Sequence, residues 1–274
     1  MYEKLLEVIS TRAALVKNEG DYFKNELLHC GVCHEPKQSV IDVPFARKKI
    51  VVNLQCRCER ENDEKQERML REYNRSQRIS DLIRKGVTSE AYKSCTFEND
   101  DQRNTEITDL CCRYVRHFSE MKRIENGILF YGEAGKGKTF YAACIANALI
   151  QNEIPVLITS LSRLVQMRIK AMKDKTADIS LRDFECFVLD DIGVENATQT
   201  AFNVIDDIYM SRKPMIVTTN ITPVQLKNSD SIEKKRMYDR ILEVCGTKIL
   251  VENNKNRLQS GIDKGRYAAA ILGA

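Results

Sequence analysis

A chain of 274 residues, 43% hydrophobic and 30% charged, has an ordinary soluble balance and room for one large domain or a medium one with a smaller companion. No stretch approaches the roughly 18 apolar residues of a membrane span, and residues 1 to 20 alternate charge with apolar side chains where a secretion signal would place an unbroken apolar core. These features predict a cytoplasmic protein without membrane attachment; its net charge of +4 is mild, so any nucleic-acid surface must be local.

Residues 2 to 20 carry Leu5, Leu6, Val8, Ile9, Ala13, Leu15 and Val16 at near-helical spacing. That predicts a short amphipathic helix, packed on the next module or docked on a partner. Cys30-Gly31-Val32-Cys33 follows, and 22 residues later Cys56-Arg57-Cys58. Of the ten cysteines, these four are spaced for metal, the first reading to make in a reducing compartment. A C-x2-C turn lets two thiolates grip one ion while its amides stabilise their charge. Val40 to Pro44 and Lys49 to Leu54 look like strands between the pairs. The expectation is a zinc-ribbon-like module, with Cys30, Cys33, Cys56 and Cys58 closing a structural Zn²⁺ site. His29 and His34 flank the first pair and are alternatives to one cysteine; four unrelated thiols is the plainer alternative.

Residues 59 to 90 shift to Glu, Arg, Lys, Gln and Asn. Arg68, Arg71, Arg75 and Arg78 fall along one side of a helix, which predicts a solvated linker or, alternatively, a surface for nucleic acid or a partner. Beyond Cys95-Thr96-Phe97, a helix containing Ile107, Leu110, Tyr114, Val115 and Phe118 leads to the first core strand. Cys111, Cys112 and Cys144 lack partner spacing and read as small core residues; His117 reads as structural.

Ile128 to Tyr131 is a short apolar run. It enters Gly132-Glu133-Ala134-Gly135-Lys136-Gly137-Lys138-Thr139, which matches G-x-x-x-x-G-K-[ST] at every fixed position. Glycines let successive N–H groups turn toward phosphate oxygens, and the helix opening at Phe140 adds the positive end of its dipole. Lys138 would reach the β- and γ-phosphates, and Thr139 would complete a Mg²⁺ shell. Strands and helices then alternate as a parallel sheet with crossovers demands. Pro155 to Thr159 is a strand, Leu161 to Met172 a helix, and Phe184 to Asp191 an apolar strand ending in two carboxylates. Asp190 would hold Mg²⁺ and Asp191 would polarise the attacking water. A helix from Ala197 to Ser211 precedes the strand Lys213 to Asn220. Asn220 is placed to orient water or sense the γ-phosphate, or else caps the turn into Thr222-Pro223. A helix from Ser231 to Cys245 sets Arg236 and Arg240 one turn apart, Lys248 to Val251 closes the sheet, and the tail beyond Arg257 reads as irregular or weakly helical.

GEAGKGKT, FVLDDIG, IVTTN and KKRMYDRIL, in that order and spacing, resemble the AAA+ ATPases of the DnaC/DnaI helicase-loader group, relatives of the initiator DnaA and the transposition helper IstB. The resemblance covers residues 94 to 257; Ser94 to Asn99 is similar to the group's lead-in to its nucleotide pocket. The cysteine module is similar in spacing to the zinc-binding N-terminal domain of DnaI-like and phage loaders. What this implies is an α/β AAA+ P-loop NTPase core, a parallel five-stranded sheet with flanking helices, behind a small zinc-ribbon-like domain. The division is 1–60 for the helicase-binding module, 61–93 for a charged linker and 94–274 for the ATPase. It also implies ATP bound by residues 132 to 140, with Lys138 and Thr139 as the Walker A pair and Asp190 as the Walker B carboxylate. Asp191 stands where the group more often has Glu. Asn220 matches sensor I, Arg240 is the choice for an arginine finger with Arg236 second, and Arg257 corresponds to sensor II. The implied function is loading a replicative hexameric DNA helicase onto single-stranded DNA, with ATP-dependent self-association. Two alternatives are an IstB-like helper that binds duplex DNA and recruits a transposase, and a small-molecule kinase. The cysteine module speaks against the first, and the late arginine pair against the second.

Overall fold

The computed structural model describes residues 17–44, 48–102, 104–174, 180–193, 199–229 and 231–252. Most of the helix expected over residues 2 to 20 lies outside them, as do Arg257 and the tail. The chain divides into two units, residues 1–76 and 77–274.

In the first unit, β1 (Tyr22–Lys24) and β2 (Leu27–His29) form a hairpin whose two turn residues, Asn25 and Glu26, both have positive φ. That backbone matches the right-handed twist of the paired strands. A second antiparallel hairpin joins β3 (Gln38–Val43) to β4 (Lys48–Asn53), with Val40 opposite Val51 and Ile41 opposite Ile50. The helix α1 (Arg57–Gly86) begins in this unit, and every residue from 60 to 78 is exposed. The charged run is therefore helical and solvated, as its composition predicts.

The second unit takes over within α1. Ile79, Leu82 and Ile83, at helical spacing, pack on its apolar cluster. Gly86 then lies so close to β6 (Val156–Ser160) that an added Cβ would stand 1.9 Å from the Val156 carbonyl oxygen. Val87 pairs in parallel with Ile158, and the Thr88 N–H and Oγ1 both donate to the Ile158 carbonyl. After α2 (Glu90–Lys93) and a 3₁₀ turn at Phe97–Asn99 come α3 (Thr105–Arg116) and α4 (Phe118–Arg123). The single helix expected through Phe118 is thus broken. His117, exposed at φ −104 and ψ 25, leaves helical backbone space, and the chain turns to bury Phe118. Cys111 and Cys144 are fully buried as expected, whereas Cys112 is partly exposed.

The remaining elements are β5 (Ile128–Tyr131), α5 (Lys138–Gln151), α6 (Leu161–Asp174), β7 (Cys186–Ile192), α7 (Gln199–Met210), β8 (Met215–Thr219), α8 (Pro223–Lys227), α9 (Ile232–Val244) and β9 (Thr247–Leu250). The strands form one parallel sheet in the order β6-β7-β8-β5-β9. Alternation along the strands builds two apolar layers. Ile128, Phe130 and Val188 face the cluster that includes α5; Leu129, Phe187 and Leu189 face the one that includes α7 and α9. Inner strand β5 has β8 on one side and β9 on the other, so the loop leaving it opens where the strand order reverses, the place where sheets of this kind bind ligands. No helix among the described residues is long and apolar enough to cross a membrane.

Candidate functional site

The loop between β5 and α5 ends on Gly137, which caps the helix at φ +106, a backbone that residues with a Cβ rarely adopt. Lys138 follows and is 6% exposed. Its Nζ donates to the carbonyls of Gly132 at 2.8 Å and Glu133 at 2.7 Å. Burial lowers the lysine's pKa, opposed by the charges of Asp191 and Asp190.

Asp190, near the C-terminal end of β7, is a hub. Its Oδ1 accepts from Thr139 Oγ1 at 2.7 Å and Thr218 Oγ1 at 2.6 Å, and its Oδ2 from Tyr92 OH at 3.1 Å. The next residue breaks the strand: the β7–β8 register shifts between Leu189 and Ile192, and Asp191 takes φ 57. Alternation would send consecutive side chains to opposite faces; at this bulge both carboxylates border the same cleft. The Asp191 N–H donates to Thr218 Oγ1 at 2.8 Å, and Asn220 Nδ2 donates to Asp191 Oδ1 at 3.4 Å. Burial, and then the charge of Asp190, raise the Asp191 pKa against the pull of Lys138.

These groups border one open cleft of about 310 Å³, lined among others by Gly135, Lys138, Thr139, Asp190, Asp191 and Asn220. A glycine loop opening a helix, one buried lysine and a hydroxyl beside a carboxylate suit a polyphosphate with a hard divalent cation. Thr139 Oγ1 and Asp190 would hold Mg²⁺.

The arginines lie differently. Arg240 Nη2 is 2.7 Å from Asp206 Oδ1, and its guanidinium lies 4.5 Å from the Phe202 ring centre and 5.5 Å from that of Tyr209. It is engaged on α7 of its own chain. Arg236, one turn earlier, is exposed.

In the first unit the Sγ atoms of Cys30, Cys33, Cys56 and Cys58 all lie within 4.8 Å of one another. Four sulfurs at the corners of a zinc tetrahedron stand about 3.8 Å apart, so the soft donor set fits Zn²⁺. Both histidines turn elsewhere: His29 Nδ1 is 3.0 Å from the Leu27 carbonyl and His34 Nδ1 is 3.3 Å from Tyr22 OH. N–H groups of Cys58 and Glu35 hold the Cys33 thiol down at about 6. Burial pushes Cys56 up to about 12. In the same unit Lys37, 3% exposed, has Asp21 at 2.9 Å and Glu59 at 2.7 Å. Asp21 also accepts the Gly31 N–H inside the first cysteine turn. Its pKa is lowered to about 2, by Lys37 first and then by N–H groups.

Sequence reasoning missed Tyr92, Thr218 and Lys37. Thr218 left a trace, a hydroxyl inside an apolar strand. Tyr92 and Lys37 left none.

The sequence profile of the family described as IstB-like ATP binding protein matches residues 56–263. Over 133 residues, 42% of the chain, the sequence is 27% identical to the replicative helicase loader DnaI of Bacillus subtilis (strain 168), and the match spans 43% of that protein's length. The crystal structure of the DnaC helicase loader is similar at TM-score 0.50 and 20% identity, over 60% of this chain and 100% of that one. The crystal structure of DnaI is similar at TM-score 0.51 and 20% identity, over 62% and 94%. At these identities the structural likeness shows a shared fold, the AAA+ P-loop core.

Proposed function

The chain belongs to the family of IstB-like ATP-binding proteins, and from that premise we propose that it is an ATP-driven loader that delivers a hexameric replicative DNA helicase onto single-stranded DNA. The observation that carries this reading over the family's other branch is the four-thiolate cluster in the unit ahead of the ATP cleft. In this division of labour the cysteine module grips the helicase, the exposed stretch of α1 links, and the second unit binds ATP, self-associates and contacts DNA.

Chemistry at the cleft follows from the donors around it. Loop amides from Gly132 to Phe140 and Lys138 Nζ bind the phosphates, which requires the lysine to exchange its carbonyl partners for phosphate oxygens. Mg²⁺ at Thr139 and Asp190 would neutralise charge on the phosphates. Asp191, oriented by Asn220, holds the attacking water; its raised pKa makes it a better proton acceptor than an ordinary aspartate. Aspartate is one methylene shorter than glutamate, which favours slow hydrolysis stimulated by a partner. For the finger that would complete a neighbour's site, Arg236 is favoured over Arg240. Arg240 would first have to leave Asp206 and two aromatic rings.

Lys138→Ala tests the ATP site. Titration with a fluorescent ATP analogue should show affinity reduced about 100-fold or more, with the circular dichroism spectrum unchanged; wild-type affinity in the variant defeats the proposal. The family profile itself favours the second reading, an IstB-like helper that binds duplex DNA and recruits a transposase. ATP-dependent co-elution with a hexameric helicase supports the loader, and ATP-dependent binding of duplex DNA with no helicase contact supports the helper.

A further inference from the structure

Asp190 is gripped from a place outside the nucleotide motifs. Tyr92 OH donates to Oδ2, the oxygen not taken by Thr139 and Thr218. The tyrosine belongs to α2, only four residues long and too short to be stable by itself. What fixes it is Asn147, whose Nδ2 donates to the carbonyls of both Tyr92 and Cys95, each at 2.7 Å. Asn147 lies on α5, the same helix whose first turn carries Lys138 and Thr139. That helix therefore holds Asp190 twice, directly through Thr139 and indirectly through Asn147 and the segment delivering Tyr92.

We infer that Tyr92 is a positioning residue for the metal carboxylate: with Asn147 as its anchor, it fixes the plane of Asp190 and so sets the affinity of the nucleotide site for Mg²⁺. This rests on the ATP-and-Mg²⁺ reading above. A carboxylate held on one oxygen can swing about its last bond; a donor on the other oxygen stops it. Outer partners of this kind typically set metal affinity by a factor of 10 to 100. Tyr92 also packs its ring against the apolar cluster, and that contribution has to be separated from the hydroxyl.

Tyr92→Phe makes the separation, since it keeps the ring and removes only the donor. In the full chain, a fluorescent ATP analogue is titrated first in EDTA and then at fixed nucleotide with rising Mg²⁺. Tyr92→Phe should leave the EDTA affinity unchanged and raise the Mg²⁺ midpoint about tenfold. Asn147→Ala, which frees the segment but leaves the hydroxyl, should move the midpoint the same way. The double variant should be no worse than the poorer single one, because both break one connection. A midpoint in Tyr92→Phe equal to or below wild type overturns the inference, as does full additivity in the double variant. A wild-type protein that binds no nucleotide, or whose binding ignores Mg²⁺, overturns the ATP reading itself and this inference with it. A purely structural tyrosine would lower the melting temperature and leave the midpoint in place.

Discussion

In the second unit Phe130, Ile145, Leu149 and Phe187 are completely buried on the two sides of a five-stranded sheet. In the first, Val40, Ile41 and Val51 stay about half exposed, and the buried apolar residues described there are Leu28, Cys30, Val43 and Cys56. Two of those four are candidate metal ligands. A body that small cannot bury enough apolar surface to offset chain entropy, so it needs a staple. The larger unit closes on packing alone and is free to place polar groups where chemistry needs them.

The strongest way to break this contrast is to take the metal away. Structural zinc supplies about 10 kcal/mol or more of folding free energy, so a strong chelator, or Cys33→Ser, should unfold the first unit. Two-dimensional NMR should show collapse of resonances from residues 17–54 while those of the sheet persist. Elemental analysis finding less than about half an equivalent of zinc in the native protein would count against the four-thiolate site.

Next in size is the buried ion cluster. Asp21→Ala removes a buried acid partner of the Lys37 charge and should cost about 3–5 kcal/mol, confined to the first unit and read by hydrogen exchange there. With its pKa lowered to about 2, Asp21 contributes fully above its ordinary value of 3.8, and that contribution is lost as the pH falls through about 2. Acid release of metal well above that range therefore reports protonation of thiolates. The smallest effect sharpens the other side: Ile145→Val should lower the stability of the second unit by about 1 kcal/mol in a thermal melt, with zinc content unchanged. A stability loss shared by both units in any of these three experiments would mean that the contrast is wrongly drawn.

The five strands and the phosphate loop were legible because each rests on neighbouring residues: apolar runs of strand length, glycines at fixed steps, helices beginning where periodicity changes. The cysteine pairs were legible from spacing. What escaped depends on distant partners. Tyr92 meets Asp190 across 98 positions, and Lys37 is buried only because Asp21 and Glu59 arrive from 16 positions before it and 22 after. Lysine is almost never so enclosed, and nothing beside it in the chain announces the exception. Arg240 reads as a free cation on a polar helix face until Asp206, Phe202 and Tyr209 are brought against it. The turn at Asp191 was hidden for a different reason: a bulge is a matter of register with β8, which one strand's sequence does not contain.

An open sheet ends in strands whose outer N–H and C=O groups are unpaired, and such strands recruit strands from other molecules. The outer side of β6 is where this hazard would fall, and Val87 and Thr88 lie along it, taking up the Ile158 backbone. They reach it only because Gly86 has no side chain to collide with Val156. Gly86 thus guards the colloidal behaviour of the protein: a methyl group there would pry the cover off the sheet and leave an adhesive border.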